Sequence, residues 1–230
     1  MFRFNQNKKR FNGDRQKRTG STMNDATNDA SEYVFREIEG EPGAPLLFVF
    51  HGTGGDEFQF LKLARQLVPD AHVISPRGDV TELGALRFFR RTGEGVYDMA
   101  DLERRTTKLA RFVAAHRQRL APAETYAFGY SNGANILASV LFAEPELIDR
   151  AALLHPLIPF TPSAQPQLAG SRVLITAGRR DPICPPSATE ALERYFAGQD
   201  AEVETVWHEG GHELRQVELE EAVRFFVRAA

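Results

Sequence analysis

The sequence predicts an α/β fold, a mostly parallel central sheet with helices on both faces and no large cap domain. Short apolar runs alternate with amphipathic stretches along most of the chain, the pattern of strands joined by crossover helices. Some of these runs are continuous rather than alternating, Leu46-Leu47-Phe48-Val49-Phe50 above all, as strands covered on both faces must be. Each such run ends in a segment rich in glycine or histidine, at the strand ends where open α/β sheets gather ligands.

Taken in order, residues 33–38 read as a first strand, and Pro42 and Pro45 bracket a turn before the strand over 46–50. A helix is expected through Phe58, Leu61, Leu63, Ala64 and Leu67, then a strand over 71–75 closed by Pro76-Arg77-Gly78. Residues 79–97 have no clean period and are expected to form a long functional loop. The spacing of Met99, Leu102, Leu109, Phe112 and Val113 predicts an amphipathic helix to about 120, with Asp98 as its N-cap. Further strands are expected over 125–129, 151–154, 172–177 and 203–207. Helices are expected after Gly133, over 187–196 and at the C-terminal end.

The chain has 230 residues, 42% hydrophobic and 26% charged, which suits one sizeable core. Residues 1–22 hold seven basic residues against one acid, leaving 21 basic against 30 acidic in the rest. Residues 1–30 are therefore expected to be a disordered basic arm or an over-extended start, with Met23 a candidate first residue. A tether to nucleic acid or an anionic membrane and a targeting peptide are the other readings. Residues 31–230 are expected to form the single folded domain. No run of about 20 apolar residues and no secretory signal pattern is seen. One cysteine, Cys184, excludes an intrachain disulfide and fits a reducing cytoplasm. It reads as buried filler rather than as a sensor.

The chemistry centres on Gly129-Tyr130-Ser131-Asn132-Gly133, set between a strand and a helix. This is the G-x-S-x-G elbow, in which a tight turn presents a serine hydroxyl at the edge of the sheet. A neutral serine is a poor nucleophile and needs an imidazole to take its proton and a carboxylate to orient that imidazole. The chain order Ser131, Asp181, His212 matches the order this architecture uses. His212 follows the last strand behind Gly210-Gly211, expected to be a flexible pair, and His208 is its chief rival. His72 and His116 read as structural or surface residues, and His51 and His155 as edge residues near oxyanion or pocket positions. Oxyanion donors are expected from the backbone of Asn132 and of Thr53. Phe88, Phe89, Arg90 and Arg91 are expected to wall or underlie a substrate pocket, with Leu157, Ile158 and Phe160 closing its opposite side. No nucleotide-binding glycine pattern and no metal-ligand spacing is found, so no cofactor or metal is expected.

Together with Ser75-Pro76-Arg77-Gly78, Asp181-Pro182-Ile183-Cys184-Pro185 and Gly210-Gly211-His212, these motifs resemble the phospholipase/carboxylesterase family of α/β-hydrolases, relatives of acyl-protein thioesterases. The resemblance runs from about 31 to 229. It is strongest to the bacterial small carboxylesterases associated with hydroquinone and quinone stress. It implies an α/β-hydrolase fold, a triad of Ser131, Asp181 and His212, an oxyanion hole from Thr53 and Asn132, and no cofactor. Acyl-protein thioesterases carry glutamine where Asn132 stands, which argues against long acyl chains. The expectation is a cytoplasmic serine carboxylesterase for small, short-acyl esters, with no nucleic-acid or membrane partner. Its oligomeric state is left open, a homodimer among the options. A thioesterase or lysophospholipase would use the same residues, and a ligand-binding protein on this fold is the alternative from another class.

Overall fold

A computed structural model describes residues 33–227, and the basic arm lies outside the described residues. The chain runs β1 (Phe35–Ile38), β2 (Leu46–Phe50), α1 (Leu61–Leu67), β3 (His72–Pro76), β4 (Val80–Glu82), β5 (Ala85–Arg87), β6 (Arg91–Gly93) and β7 (Val96–Tyr97). It continues with α2 (Met99–Leu120), β8 (Thr125–Tyr130), α3 (Asn132–Ala143), β9 (Arg150–Leu154), β10 (Arg172–Gly178), α4 (Pro186–Ala197), β11 (Glu202–His208) and α5 (Gln216–Val227).

Seven of the strands form one sheet in the order β1-β3-β2-β8-β9-β10-β11. Only β1 is antiparallel to its neighbour. From β2 the chain moves outward to β3, then returns to place β8 on the other side of β2. The loops after β2 and β8 therefore diverge at a topological switch point, where a crevice opens at the carboxyl ends of the strands.

The continuous apolar runs divide between two cores. Leu46, Phe48 and Phe50 face α2 and α3 with Leu109, Phe112, Ile136 and Leu137, whereas Leu47 and Val49 face Leu67, Ala222, Phe225 and Phe226 of α1 and α5. A strand with apolar neighbours above and below cannot alternate in polarity. Asp98 caps α2, its carboxylate accepting the Asp101 amide at 3.0 Å. His72 pairs with Glu37 at 2.6 Å on the outer strands, and the buried His116 packs against Phe112.

Two expectations are corrected here. The helix after His51 begins at Leu61 and not near Phe58. The Asp56 carboxylate takes the Phe58 amide at 2.9 Å in a local turn, and Phe58 is exposed beneath the Arg36 guanidinium. Residues 79–97 are not an irregular loop but two small hairpins, β4–β5 and β6–β7. Strands of two or three residues are too short to show a period of two. The first hairpin turns at Leu83-Gly84, both with positive φ (49° and 85°), a conformation usually signalled by Asn-Gly. Leucine there gives no such signal.

Candidate active site

Ser131 joins β8 to α3 with φ 53° and ψ −116°, a conformation that L-residues avoid and keep only where the surroundings enforce it. The enforcement is steric closeness. A Cβ on Gly129 would lie 2.5 Å from the Gly133 carbonyl oxygen, and one on Gly133 only 2.3 Å from that of Phe50. Strand and helix can approach this closely only with glycine at both places. The Ser131 amide donates to the Leu154 carbonyl at 2.9 Å, tying the turn to β9.

From Ser131 a hydrogen-bonded chain runs across the carboxyl edge of the sheet. Ser131 Oγ lies 2.9 Å from His212 Nε2, and His212 Nδ1 lies 2.7 Å from Asp181 Oδ2. The other oxygen, Asp181 Oδ1, accepts the amides of Ile183 and Cys184 at 2.8 and 2.9 Å. Burial by itself would raise the Asp181 pKa, but the Cys184 amide, His155 and His212 together outweigh it and hold the carboxyl below its ordinary value. An ionised acid fixes the proton of His212 on Nδ1 and leaves Nε2 free to receive one from the serine.

The loop bearing His212 is pinned rather than loose. A Cβ on Gly178 would meet the Gly211 carbonyl oxygen at 2.1 Å, the Arg180 amide donates to Gly210, and the Tyr130 hydroxyl donates to the His212 carbonyl at 2.7 Å. It is Gly178 that permits this close approach, and the Gly210-Gly211 pair is held in place rather than acting as a hinge. His208, the rival base, points away from Ser131. Its Nδ1 accepts the Gly210 amide at 2.9 Å and its Nε2 faces Glu218 at 3.2 Å.

The two positions expected to receive an oxyanion lie beside this turn. Asn132 opens α3, so its amide is among those that have no partner within a helix. In the loop after β2, the Gly52, Gly54 and Gly55 amides bond Gln59, Leu86 and Gly52 respectively. The Thr53 amide has no hydrogen bond among the described residues. Two sequence motifs hold this loop. Arg77 makes a bidentate pair with the buried Glu57, at 2.6 Å for both bonds, and the Gly78 amide donates to His51 Nε2 at 2.8 Å. Burial lowers the His51 pKa, and a ring nitrogen that accepts an amide proton fits a neutral imidazole.

A cavity of about 240 Å³ opens beside Ser131, lined by Arg87, Arg91, Tyr97, Asn135, Leu157 and Ile183 among others. Of the pocket residues expected from sequence, Arg91 and Leu157 line it, and Phe88, Phe89, Arg90, Ile158 and Phe160 do not. Phe88 and Phe89 are fully buried beneath the wall. The Phe88 ring packs on His51 at 4.6 Å and its amide donates to the Asn132 side chain at 2.7 Å, while Phe89 packs on Tyr97. Arg90 offers its backbone amide to Asp101 and keeps an exposed side chain, and Ile158 joins the main core. Phe160 packs on Phe142 and faces a separate groove beside α2 and α3. Among the wall residues that sequence reasoning missed are Arg87, Tyr97 and Asn135. The Tyr97 hydroxyl bonds both the Asn135 side chain, at 2.7 Å, and the Leu157 carbonyl. No local sequence signal joins positions 38 and 60 residues apart.

A buried cluster was also missed. His155, His208 and Glu218 lie together under the triad-like chain, and His155 shares Asp181 with His212. Folding brings the donor atoms of each set within 4.8 Å, which would admit a metal ion. His208, however, presents a protonated Nε2 to Glu218 because its Nδ1 accepts an amide, and a protonated nitrogen is no ligand.

No helix among the described residues is long and apolar enough to cross a membrane. The chain is 42% identical over 186 residues to MhqD of Bacillus subtilis (strain 168), which carries a hydrolase name, covering 80% of this chain and 93% of that protein. A carboxylesterase structure from Bacillus cereus superimposes with a TM-score of 0.80 at 35% identity, covering 88% of this chain and 98% of the other. The protein Atu2452 of Agrobacterium tumefaciens str. C58, of unknown function, reaches a TM-score of 0.81 at 52% identity over 86% and 97% of the two chains. The family model of the dienelactone hydrolases matches residues 92–215, which include Ser131, Asp181 and His212. With this fold, these relatives and that match, the chain is an α/β-hydrolase and belongs to the dienelactone hydrolase family.

Proposed function

We propose that this hydrolase is a serine carboxylesterase for small esters, working through an acyl-enzyme. The observation that carries the proposal is the unbroken chain Ser131 Oγ, His212 Nε2, His212 Nδ1, Asp181 Oδ2, with separations of 2.9 and 2.7 Å across its two hydrogen bonds. Ser131 Oγ attacks the ester carbonyl as His212 takes its proton. The carbonyl oxygen, now negative, is received by the Thr53 and Asn132 amides, each able to contribute about 3 kcal/mol. The tetrahedral species collapses, His212 protonates the departing alcohol, and the acyl group stays on Ser131. Water then repeats the sequence, losing a proton to His212 and releasing the acid.

The pocket supports the substrate class. A space of about 240 Å³ bounded by Arg87, Arg91, Tyr97, Asn135 and Leu157 suits a short acyl group and a polar leaving group rather than a long chain. The names of the relatives, a hydrolase and a carboxylesterase, agree with this class. The test is a panel of p-nitrophenyl esters of increasing chain length, scored by kcat/KM. Expected is a maximum at about two to four carbons, each methylene that fits being worth up to ~0.8 kcal/mol. Steady improvement out to palmitoyl esters would favour a thioesterase, and no turnover of p-nitrophenyl acetate would leave a ligand-binding protein.

A further inference from the structure

The proposed reaction uses one histidine, yet two approach the oxygen that orients it. His155 Nδ1 and His212 Nδ1 lie 2.8 and 2.7 Å from Asp181 Oδ2, with ring centroids 5.1 Å apart. His155 directly follows β9. It is fully buried, and its φ of 50° places it in the left-handed region, which a residue with a side chain keeps only where its surroundings hold it. Its Nε2 faces Glu218 Oε1 at 2.9 Å. Glu218, buried on α5, also accepts the Thr176 hydroxyl and the Arg215 amide, and His208 Nε2 lies near its second oxygen.

Counting protons fixes the state of this ring. Asp181 Oδ1 is taken up by two amides, and Glu218 is surrounded by donors, an environment that only ionised, accepting carboxylates satisfy. An imidazole with an ionised carboxylate at each nitrogen needs a proton on both, or one oxygen would face a lone pair. Burial alone would lower the His155 pKa, but Glu218 and Asp181 outweigh it and raise it. Three other groups face His155, and His208 is the nearest, its Nε2 3.4 Å from His155 Nε2 with the ring turned toward Glu218. Tyr130 lies 5.9 Å away with its phenol pushed by burial up to about 12, and Cys184, whose thiol donates to the His155 carbonyl, is likewise raised by burial.

We propose that His155, held as an imidazolium by Glu218, is a positioning residue for the acid of the triad. It fixes the direction of Asp181 Oδ2 toward His212 and offsets part of the carboxylate charge, an offset that the acid limb of the activity profile would read. The proposal rests on Ser131, His212 and Asp181 acting as the triad. A buried ion pair with no such task is replaced by apolar residues at little or no cost in stability. Here the pair is placed against the acid itself.

Two measurements on the full chain test this. In ring 15N–1H spectra of the native enzyme from about pH 6 to about pH 9, above the ordinary histidine range, one histidine should keep both ring nitrogens protonated. That signal should vanish in His155→Asn. In the pH profile of kcat/KM for a short ester, His155→Asn, which removes the charge but keeps a donor near Nδ1, should move the acid limb up by about one pH unit or more. KM should stay unchanged. The charge-balanced His155→Asn/Glu218→Gln should move the limb in the same direction, which covers the case in which the single variant does not fold. A native spectrum with no doubly protonated ring, or folded variants with the wild-type acid limb, overturns the proposal. If the native enzyme hydrolyses no ester at all, the triad reading has failed instead, and the ring spectrum still decides the state of His155.

Discussion

The two sides of the pocket are held by different physics. On the side of β8, β10 and β11, backbone is packed on backbone. Added Cβ atoms at Gly129, Gly133 and Gly178 would fall 2.5, 2.3 and 2.1 Å from carbonyl oxygens, so Ser131, Asp181 and His212 have no room to drift. The opposite wall, β4 to β7, meets backbone at the Gly54 amide, which donates to the Leu86 carbonyl at 2.9 Å, and at Gly78, where a Cβ would lie 2.4 Å from the Arg87 carbonyl oxygen, and is otherwise braced by side chains. Glu82 sits between Arg87 at 3.2 Å and Arg91 at 2.9 Å, and Leu83 at the hairpin tip stands in solvent. Reacting groups demand placement within a fraction of an ångström, and close-packed backbone supplies it. A wall that meets the variable part of a substrate can be set by ion pairs worth little individually.

The largest effect expected from that contrast is chemical. Ser131→Ala should lower kcat by about 10⁴-fold or more while leaving the melting temperature nearly unchanged, and a fluorophosphonate probe should label only Ser131 in the wild type. His212→Ala should be nearly as damaging and the double variant hardly worse than either. Loss of catalysis in His208→Ala instead would move the base to the other histidine.

Next comes the frame itself. Gly133→Ala introduces an atom 2.3 Å from the Phe50 carbonyl oxygen, with backbone on both sides and nothing free to yield. It should destabilise the fold by roughly 3 kcal/mol or more in chemical denaturation. A variant that unfolds like the wild type would show that strand and helix can separate after all.

A smaller effect is written in pH. Asp181 and Glu218 are held below their ordinary values: burial acts to raise both, and hydrogen bonds prevail. Their contribution to stability is present above about pH 4, the unfolded carboxylate range, and is lost as pH falls through the folded values. His155 is raised, so its contribution is complete below about pH 6.5 and is lost as pH rises through its folded value. The cluster should therefore stabilise most between about pH 4.5 and 6.5. Melting temperatures of wild type and His155→Asn/Glu218→Gln, compared across pH, should differ most in that window. A constant difference would refute the charge assignment.

The smallest effect belongs to the ion-paired wall. Glu82→Gln should lower stability by no more than about 2 kcal/mol, because the Arg87 guanidinium it leaves is buried, and alter KM by a few-fold, with kcat untouched. A collapse of kcat would place the hairpins within the catalytic frame and erase the contrast between the two sides.

Much of this was legible before any coordinates. The strand over 46–50 announces itself as apolar throughout, Asp98 stands where a cap is needed, and the elbow carries its glycines at fixed spacing. Each is a local signal, decided by residues within a few positions of one another. The order of Ser131, Asp181 and His212 is legible for a related reason: each sits at the end of a strand, and strand ends in such a sheet share one edge. What no local signal carries is which distant side chains meet. Phe88 and Phe89 could wall or underlie a pocket on the sequence alone, and the fold decides for the second, burying both beneath the wall. Arg87 becomes lining through a bond to Thr53 Oγ1, 34 residues away. His155 reads as an edge histidine, nothing in the sequence singles out Glu218, and the two meet only because α5 packs across β9 and β10. Sequence alone determined the layers, the elbow and the order of the residues proposed to react, since chain periodicity and close-approach glycines are local properties. Tertiary structure alone decided the pocket wall and the charge on His155, since each is set by groups that adjoin in space and not along the chain.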